Sequence, residues 1–122
     1  MPYDEKTVNQ VREMIAERTD NVVEKVMFGG LCFMVEDKIC IGVKKDTLLA
    51  RIAPEVYDAE VEKDGRAPMI HGGKPVKTYL FVNLDTIHNY QDLAWWVKQC
   101  LDYNPIAPLS QAKQKAKAKS KD

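Results

Sequence analysis

Between Val22 and Ala53 short blocks of β-branched and apolar residues follow one another with only "EDK" (36–38) and "KKD" (44–46) between them. A parallel crossover needs a dozen or more residues, usually a helix, whereas antiparallel neighbours need only a tight turn. The stretch therefore predicts an antiparallel meander, with strands at 23–36, 38–44 and 47–53. In the second of these, Ile39, Ile41 and Val43 alternate with Lys38, Cys40, Gly42 and Lys44. One face of the sheet is thus a core face.

Helical periodicity brackets the meander. In "DEKTVNQVREMIAER" Val8, Val11, Met14 and Ile15 share one side, with Asp4 as the N-cap and Glu5 at the positive end of the helix dipole. A second, short helix is predicted over 54–63. Pro54 there occupies a first turn that tolerates a missing N–H, and Gly65 follows where a helix end favours a left-handed residue. "PMIHGGKPVKTYLFVNLD" reads as a hairpin around "HGGKP". From Asn89 to Tyr103 the positions of Leu93, Trp96, Val97, Cys100 and Leu101 form the widest apolar stripe of the chain, and "NPIAP" ends it. The order is helix, three strands, helix, two strands, helix. That is an α+β class with two layers: an antiparallel sheet and helices mainly on one face.

With 122 residues the chain has room for one domain. No apolar run approaches the ~18 residues of a membrane span, and "MPYDEKTVNQ" has no secretory-signal pattern. A cytoplasmic protein without membrane association is expected. Cys32, Cys40 and Cys100 all lie in apolar patterns and read as buried free thiols, since their spacing offers no zinc site. His71 and His88 are the only histidines, and neither sits in a local catalytic signature. The expectation is a non-enzymatic protein with no cofactor and no metal; a small enzyme is a remote alternative.

The charge balances at zero, with 18 basic and 18 acidic residues. Lys113, Lys115, Lys117, Lys119 and Lys121 are concentrated near the C-terminus, so the rest of the chain is mildly acidic. Lysine at every second position leaves no apolar face on a helix. Residues 109–122 are accordingly expected to be a disordered tail, and 1–108 the folded domain. These five lysines are the candidates for weak, nonspecific nucleic-acid contact.

Two further groups invite a functional reading. Trp95 lies about 100° round the last helix from the core-facing Trp96, among Gln91, Lys98, Gln99 and Asp102, where a large aromatic can anchor an interface. On the strand reading, the second face of the sheet presents Cys40, Gly42, Tyr79 and Phe81. So apolar a face asks for cover by a second copy, by another partner, or by the chain's own loops and C-terminal segment.

Gly29 and Gly30, inside "KVMFGGLCFMVE", are either a turn or a bend in one long strand. Neither they nor Gly72–Gly73 have the spacing of a phosphate-binding loop.

Met27-Phe28-Gly29-Gly30, the segment "LCFMVEDKICIGV", "RIAPE" at 51–55 and "APMIHGGKPV" at 67–76 together resemble the N-terminal domain of the TfoX/Sxy family, over residues 3 to 104. The resemblance implies a two-layer fold of secretion-chaperone-like type with order α-β(3)-α-β(2)-α. The resemblance implies a regulator of natural competence acting as a coactivator or through protein contacts, as better-studied members with a second, C-terminal helical domain do; here a lysine-rich segment follows the first domain instead. The resemblance implies no catalytic residues. It also favours one long strand bent at Gly29-Gly30 over a hairpin with a two-residue turn, which makes Met27 to Gly30 a structural motif. The expected function is that of a regulatory or adaptor module acting through protein contacts, its partner unidentified, with a homodimer in view. The alternative is an accessory nucleic-acid-binding protein using the tail.

Overall fold

The computed structural model describes residues 3–108. The lysine-rich segment, with Lys113, Lys115, Lys117, Lys119 and Lys121, and its expected disorder lie outside the described residues.

Helix α1 (Glu5–Ala16) starts where Asp4 accepts a hydrogen bond from the Thr7 amide at 3.1 Å, and it buries Val8, Val11, Met14 and Ile15 as the spacing predicts. Strands β1 (Val22–Met27), β2 (Gly30–Val35), β3 (Lys38–Val43) and β4 (Thr47–Arg51) follow in an antiparallel meander. Helix α2 (Pro54–Glu60) has Pro54 in its first turn, where the missing N–H costs nothing. The hairpin β5 (Arg66–His71) and β6 (Lys74–Asn83) leads through a 3-10 turn at Leu84–Thr86 into α3 (Tyr90–Tyr103). Asn89 caps α3 by accepting from the Asp92 amide at 2.9 Å. The six strands form one sheet in the order β1-β2-β3-β4-β6-β5, every pair antiparallel. The α+β class and the packing of helices on one face are as expected.

The core lies between that face and the helices. Across the sheet Leu31 pairs with Val43, Phe33 with Ile41, Ile41 with Ala50, Leu48 with Val82, and Ala50 with Leu80, so these side chains share one face. They pack with Val8, Val11, Ile15, Tyr57, Leu93, Trp96 and Val97. Phe33, Ile41 and Leu80 are fully buried, and each such side chain stabilises the fold by about 1.5–3 kcal/mol.

The segment 23–36 is not one bent strand. Met27 pairs with Gly30, and the two residues between them, Phe28 and Gly29, have φ of 56° and 73°. Positive φ at both central positions is the requirement of a type I′ hairpin turn, whose twist matches that of the flanking strands. The meander therefore has four strands. Glu36 and Asp37 (φ 51° and 66°) and Gly72 and Gly73 (φ 61° and 79°) close the β2–β3 and β5–β6 hairpins in the same way. Gly30 is a strand residue, and its lack of a side chain serves packing: a Cβ there would stand 2.3 Å from the Val43 carbonyl oxygen.

Candidate interaction surfaces

Trp95 stands where the periodicity of α3 puts it. Trp96 is 3% exposed and Trp95 42%, and their rings meet edge to face with centroids 4.9 Å apart. A cavity of about 310 Å³ beside them is lined by Lys63, Arg66, Thr86 and Asp92. Its wall is stiff. Glu60, buried, is ion-paired with Lys63 and Arg66; Arg66 also donates to Thr86 Oγ1 at 2.9 Å and lies over the Trp96 ring at 5.1 Å. Farther along α3, Asp102 accepts from both Lys98 and Arg18, which holds its carboxyl below the usual carboxylate range. Trp95 is therefore an exposed indole on a rigid, charge-fenced ledge, the arrangement in which an aromatic anchor loses little entropy on binding.

The second face of the sheet differs in composition from the expectation. Tyr79 and Phe81 do share it with Gly42, but Cys40 does not. The register shifts between Phe33 and Met34, leaving Cys40 as an extra residue on β3, and such a bulge turns it into the helix-side core beside Val35 and Ile41. Cys32 and Leu49 occupy the outer face instead and close over Gly42, where a Cβ would lie 3.1 Å from Cys32 Sγ. Nor are the aromatic rings bare. Lys44 Nζ lies 5.1 Å from the Phe81 centroid, and the Arg51 guanidinium lies 5.1 Å from that of Tyr79.

Arg51 is a residue that pattern reading passed over. It is buried, donates to the Pro108 carbonyl at 2.8 Å and to the Ile39 carbonyl at 3.4 Å, and leaves its Nε without a partner. Together with Lys38, which donates to the Asn104 carbonyl at 2.9 Å, and Asn104, which donates to the Val35 carbonyl at 3.1 Å, it straps residues 104–108 across the end of the sheet. The signal in the sequence was one arginine inside the otherwise apolar "LLARIA".

All three thiols are free and buried. Burial pushes Cys32 up to about 11 and Cys40 up to about 12, and it raises Cys100 well above its ordinary value. None is a thiolate nucleophile at neutral pH. Among the described residues no group of three or more His, Cys, Asp or Glu could hold a metal ion, and no helix is long and apolar enough to cross a membrane. Met27, Phe28, Gly29 and Gly30 make the end of β1, the β1–β2 turn and the start of β2, and Met27, Phe28 and Gly30 line a small crevice against Val43 and Leu49.

No curated protein and no solved structure matches the chain. A family model described as the TfoX N-terminal domain matches residues 13–103, from the last turn of α1 through the whole sheet to the end of α3. With the match spanning most of the chain and every strand of its sheet, the protein belongs to the TfoX N-terminal domain family.

Proposed function

We propose that the protein is a non-enzymatic regulatory or adaptor module of the kind its family membership suggests, with a competence-related or transcriptional role, and that it works by binding another protein. The observation that carries this reading is Trp95: a large aromatic, 42% exposed, braced edge-on against a buried Trp96 beside a cavity with fixed walls. Isolated exposed aromatics are ordinary, but one that is pre-ordered at a concave, charge-fenced site has the make-up of an interface hot spot. The raised thiols and the separation of His71 from His88, on a hairpin tip and ahead of α3, favour a binding role over covalent or acid–base chemistry.

The test is affinity capture from the native cell with the full chain and with Trp95→Ser. A defined protein partner that is captured by the wild type and lost with the variant supports the reading. Sedimentation of the purified chain identifies the case in which that partner is a second copy. Capture that does not change on substitution of Trp95, with no self-association, rejects the ledge as the interface.

A further inference from the structure

The two edges of the sheet are built differently. Strand β5 carries Pro68, which has no N–H to donate, and its register on β6 shifts between Pro68 and Ile70. Proline and a broken register are devices that blunt a sheet edge against further pairing. Strand β1 has neither: it pairs residue for residue with β2 from Val22 to Met27, and among the described residues no strand lies beyond it. Val23 and Val26 on this strand are 53% and 70% exposed. Bare β-branched side chains on an unblunted edge belong to a strand that can pair again.

The register fixes which backbone groups of β1 are free. The Glu36 amide donates to the Asn21 carbonyl at 3.2 Å, and Asn21 stands opposite Glu36 when the β1–β2 register is continued by one step. Hydrogen-bonded pairs alternate along an antiparallel ladder, so Val23, Lys25 and Met27 bond to β2. Val22, Glu24 and Val26 therefore turn their N–H and C=O groups to the open edge. Their side chains lie on the helix side, in register with Val35, Phe33 and Leu31 of the core. Glu24, the one charge among them, is already neutralised: Arg12 of α1 donates to both its carboxylate oxygens, at 2.6 and 2.7 Å, and is steadied by the Asn9 side chain at 2.7 Å.

We propose that β1 is a dimerisation edge, pairing antiparallel with β1 of a second copy of this chain about a two-fold axis at Glu24. Such an axis stands perpendicular to the sheet, so each side chain keeps its face and the axis must pass at a residue pair. Centred on Glu24, the register sets Val22 against Val26 of the second copy and Glu24 against Glu24, each pair exchanging both N–H···O bonds. Every free backbone group of Val22, Glu24 and Val26 is then satisfied. On the outer face Val23 meets Lys25 of the second copy, whose methylene stem covers the valine while its ammonium stays in water. The two carboxylates at the axis each carry their own Arg12. A centre at Lys25 would set two bare ammonium groups directly against each other, which destabilises a ladder, and a centre at Val23 would leave Val26 uncovered. The strand is thus complementary to itself in one register, which is why its occupant is a second copy and not an arbitrary strand. The Trp95 cavity is bounded by Arg66 of β5, the opposite edge, so this inference stands or falls separately from the role of the ledge.

The experiment is sedimentation of the full chain over a range of concentrations, with residue-resolved amide hydrogen exchange at low and high concentration. A monomer–dimer equilibrium is expected, with the amides of Val22, Glu24 and Val26 slowing as the dimer forms. The amides of Val23, Lys25 and Met27, already bonded to β2, should change little. Val23→Lys, which sets like charges opposite each other at two symmetric places, is expected to weaken the dimer about tenfold. Val23→Glu, which sets a carboxylate opposite Lys25, should leave it as tight or tighter, and Trp95→Ser should leave it unchanged. Val23 is half-exposed, so both of its variants should melt as the wild type does; the exchange pattern of the wild type tests the edge without any variant. A chain that stays monomeric, a dimer whose outward amides gain no protection, equal losses from the two Val23 variants, or a dimer abolished by Trp95→Ser would each overturn the proposal.

Discussion

The carbonyl oxygen of Val43 lies 2.3 Å from the point that a Cβ on Gly30 would occupy, and the Val43 carbonyl carbon lies 3.0 Å from it. Backbone cannot swing aside as a flexible side chain can, so the first residue of β2 has to be glycine for β3 to approach it. Gly30→Val is expected to destabilise the protein by about 1–3 kcal/mol through overpacking. At Gly29 the constraint is conformational: φ is 73° and the nearest atom, on Lys44, is 3.9 Å away. Gly29→Ala should cost only about 1 kcal/mol. Urea unfolding of the two variants checks the ranking, and equal losses would mean that the turn, not the strand contact, sets the cost.

The two tryptophans should separate cleanly in stability. Trp96 is buried in the core and Trp95 is not, so Trp96→Ala is expected to lose about 3–5 kcal/mol and Trp95→Ala less than about 1. Thermal melts of both variants measure this. A large loss at Trp95 would recast its indole as structural.

Arg51→Met should destabilise by about 1–3 kcal/mol, because it leaves the Ile39 and Pro108 carbonyls without their donor and removes the cation from the Tyr79 ring. Amide hydrogen exchange over residues 104–108 should quicken more than exchange in α1. Arg51→Lys is expected to rescue little, since a single ammonium does not reproduce the planar fork. Unchanged exchange in 104–108 would show that this segment is held by other contacts.

Native thiols should resist alkylation. At pH 7.5 iodoacetamide is expected to leave Cys32, Cys40 and Cys100 unmodified, and to label all three once urea unfolds the chain. The folded values of Cys32 and Cys40, about 11 and 12, lie above the ordinary thiol value. The unfolded chain therefore loses these protons first, and stability should decline as pH rises above about 9. Replacing Cys40 and Cys100 with Ala should flatten that decline, and a decline unaffected by the replacement would assign it to other groups.

At the acid end the sign reverses. The hydrogen bond from Arg12 holds Glu24 below its ordinary value, so the stability contributed by this pair is complete above the usual carboxylate range and is lost as pH falls through the lowered folded value. The pair is substantially exposed, so its effect is small. Melts of Glu24→Gln between pH 7 and pH 3 should show a slightly shallower pH dependence than the wild type; an identical profile would mean that the pair contributes nothing.

Local signals located most elements. Asp4 and Asn89 announced the two long helices because a short polar side chain ahead of an apolar stripe can satisfy a free amide. The meander was legible because short connections forbid crossovers. The Phe28-Gly29 turn was not, since turn reading looks for Asn, Asp or Gly at both left-handed positions and an aromatic residue at φ 56° violates that habit. Of the candidate surface residues, Trp95 followed from the 100° step of its helix. The cations over Tyr79 and Phe81 come from β4 and the end of β3, and no spacing along β6 reveals them.

By itself the sequence determined the class of fold, the apolar faces of α1 and α3, and family membership through the ordered motifs around residues 27–30, 51–55 and 67–76. These depend on neighbours within a few positions, where the periods of helix and strand act directly. Only the tertiary structure decided that Gly30 is required by Val43, that Cys40 turns inward at a bulge, that Arg51 fastens residues 104–108, and that Lys44 and Arg51 lie over the rings of Phe81 and Tyr79. Each of these joins residues distant in the chain through strand register, and register is a property of paired backbones, not of any one segment.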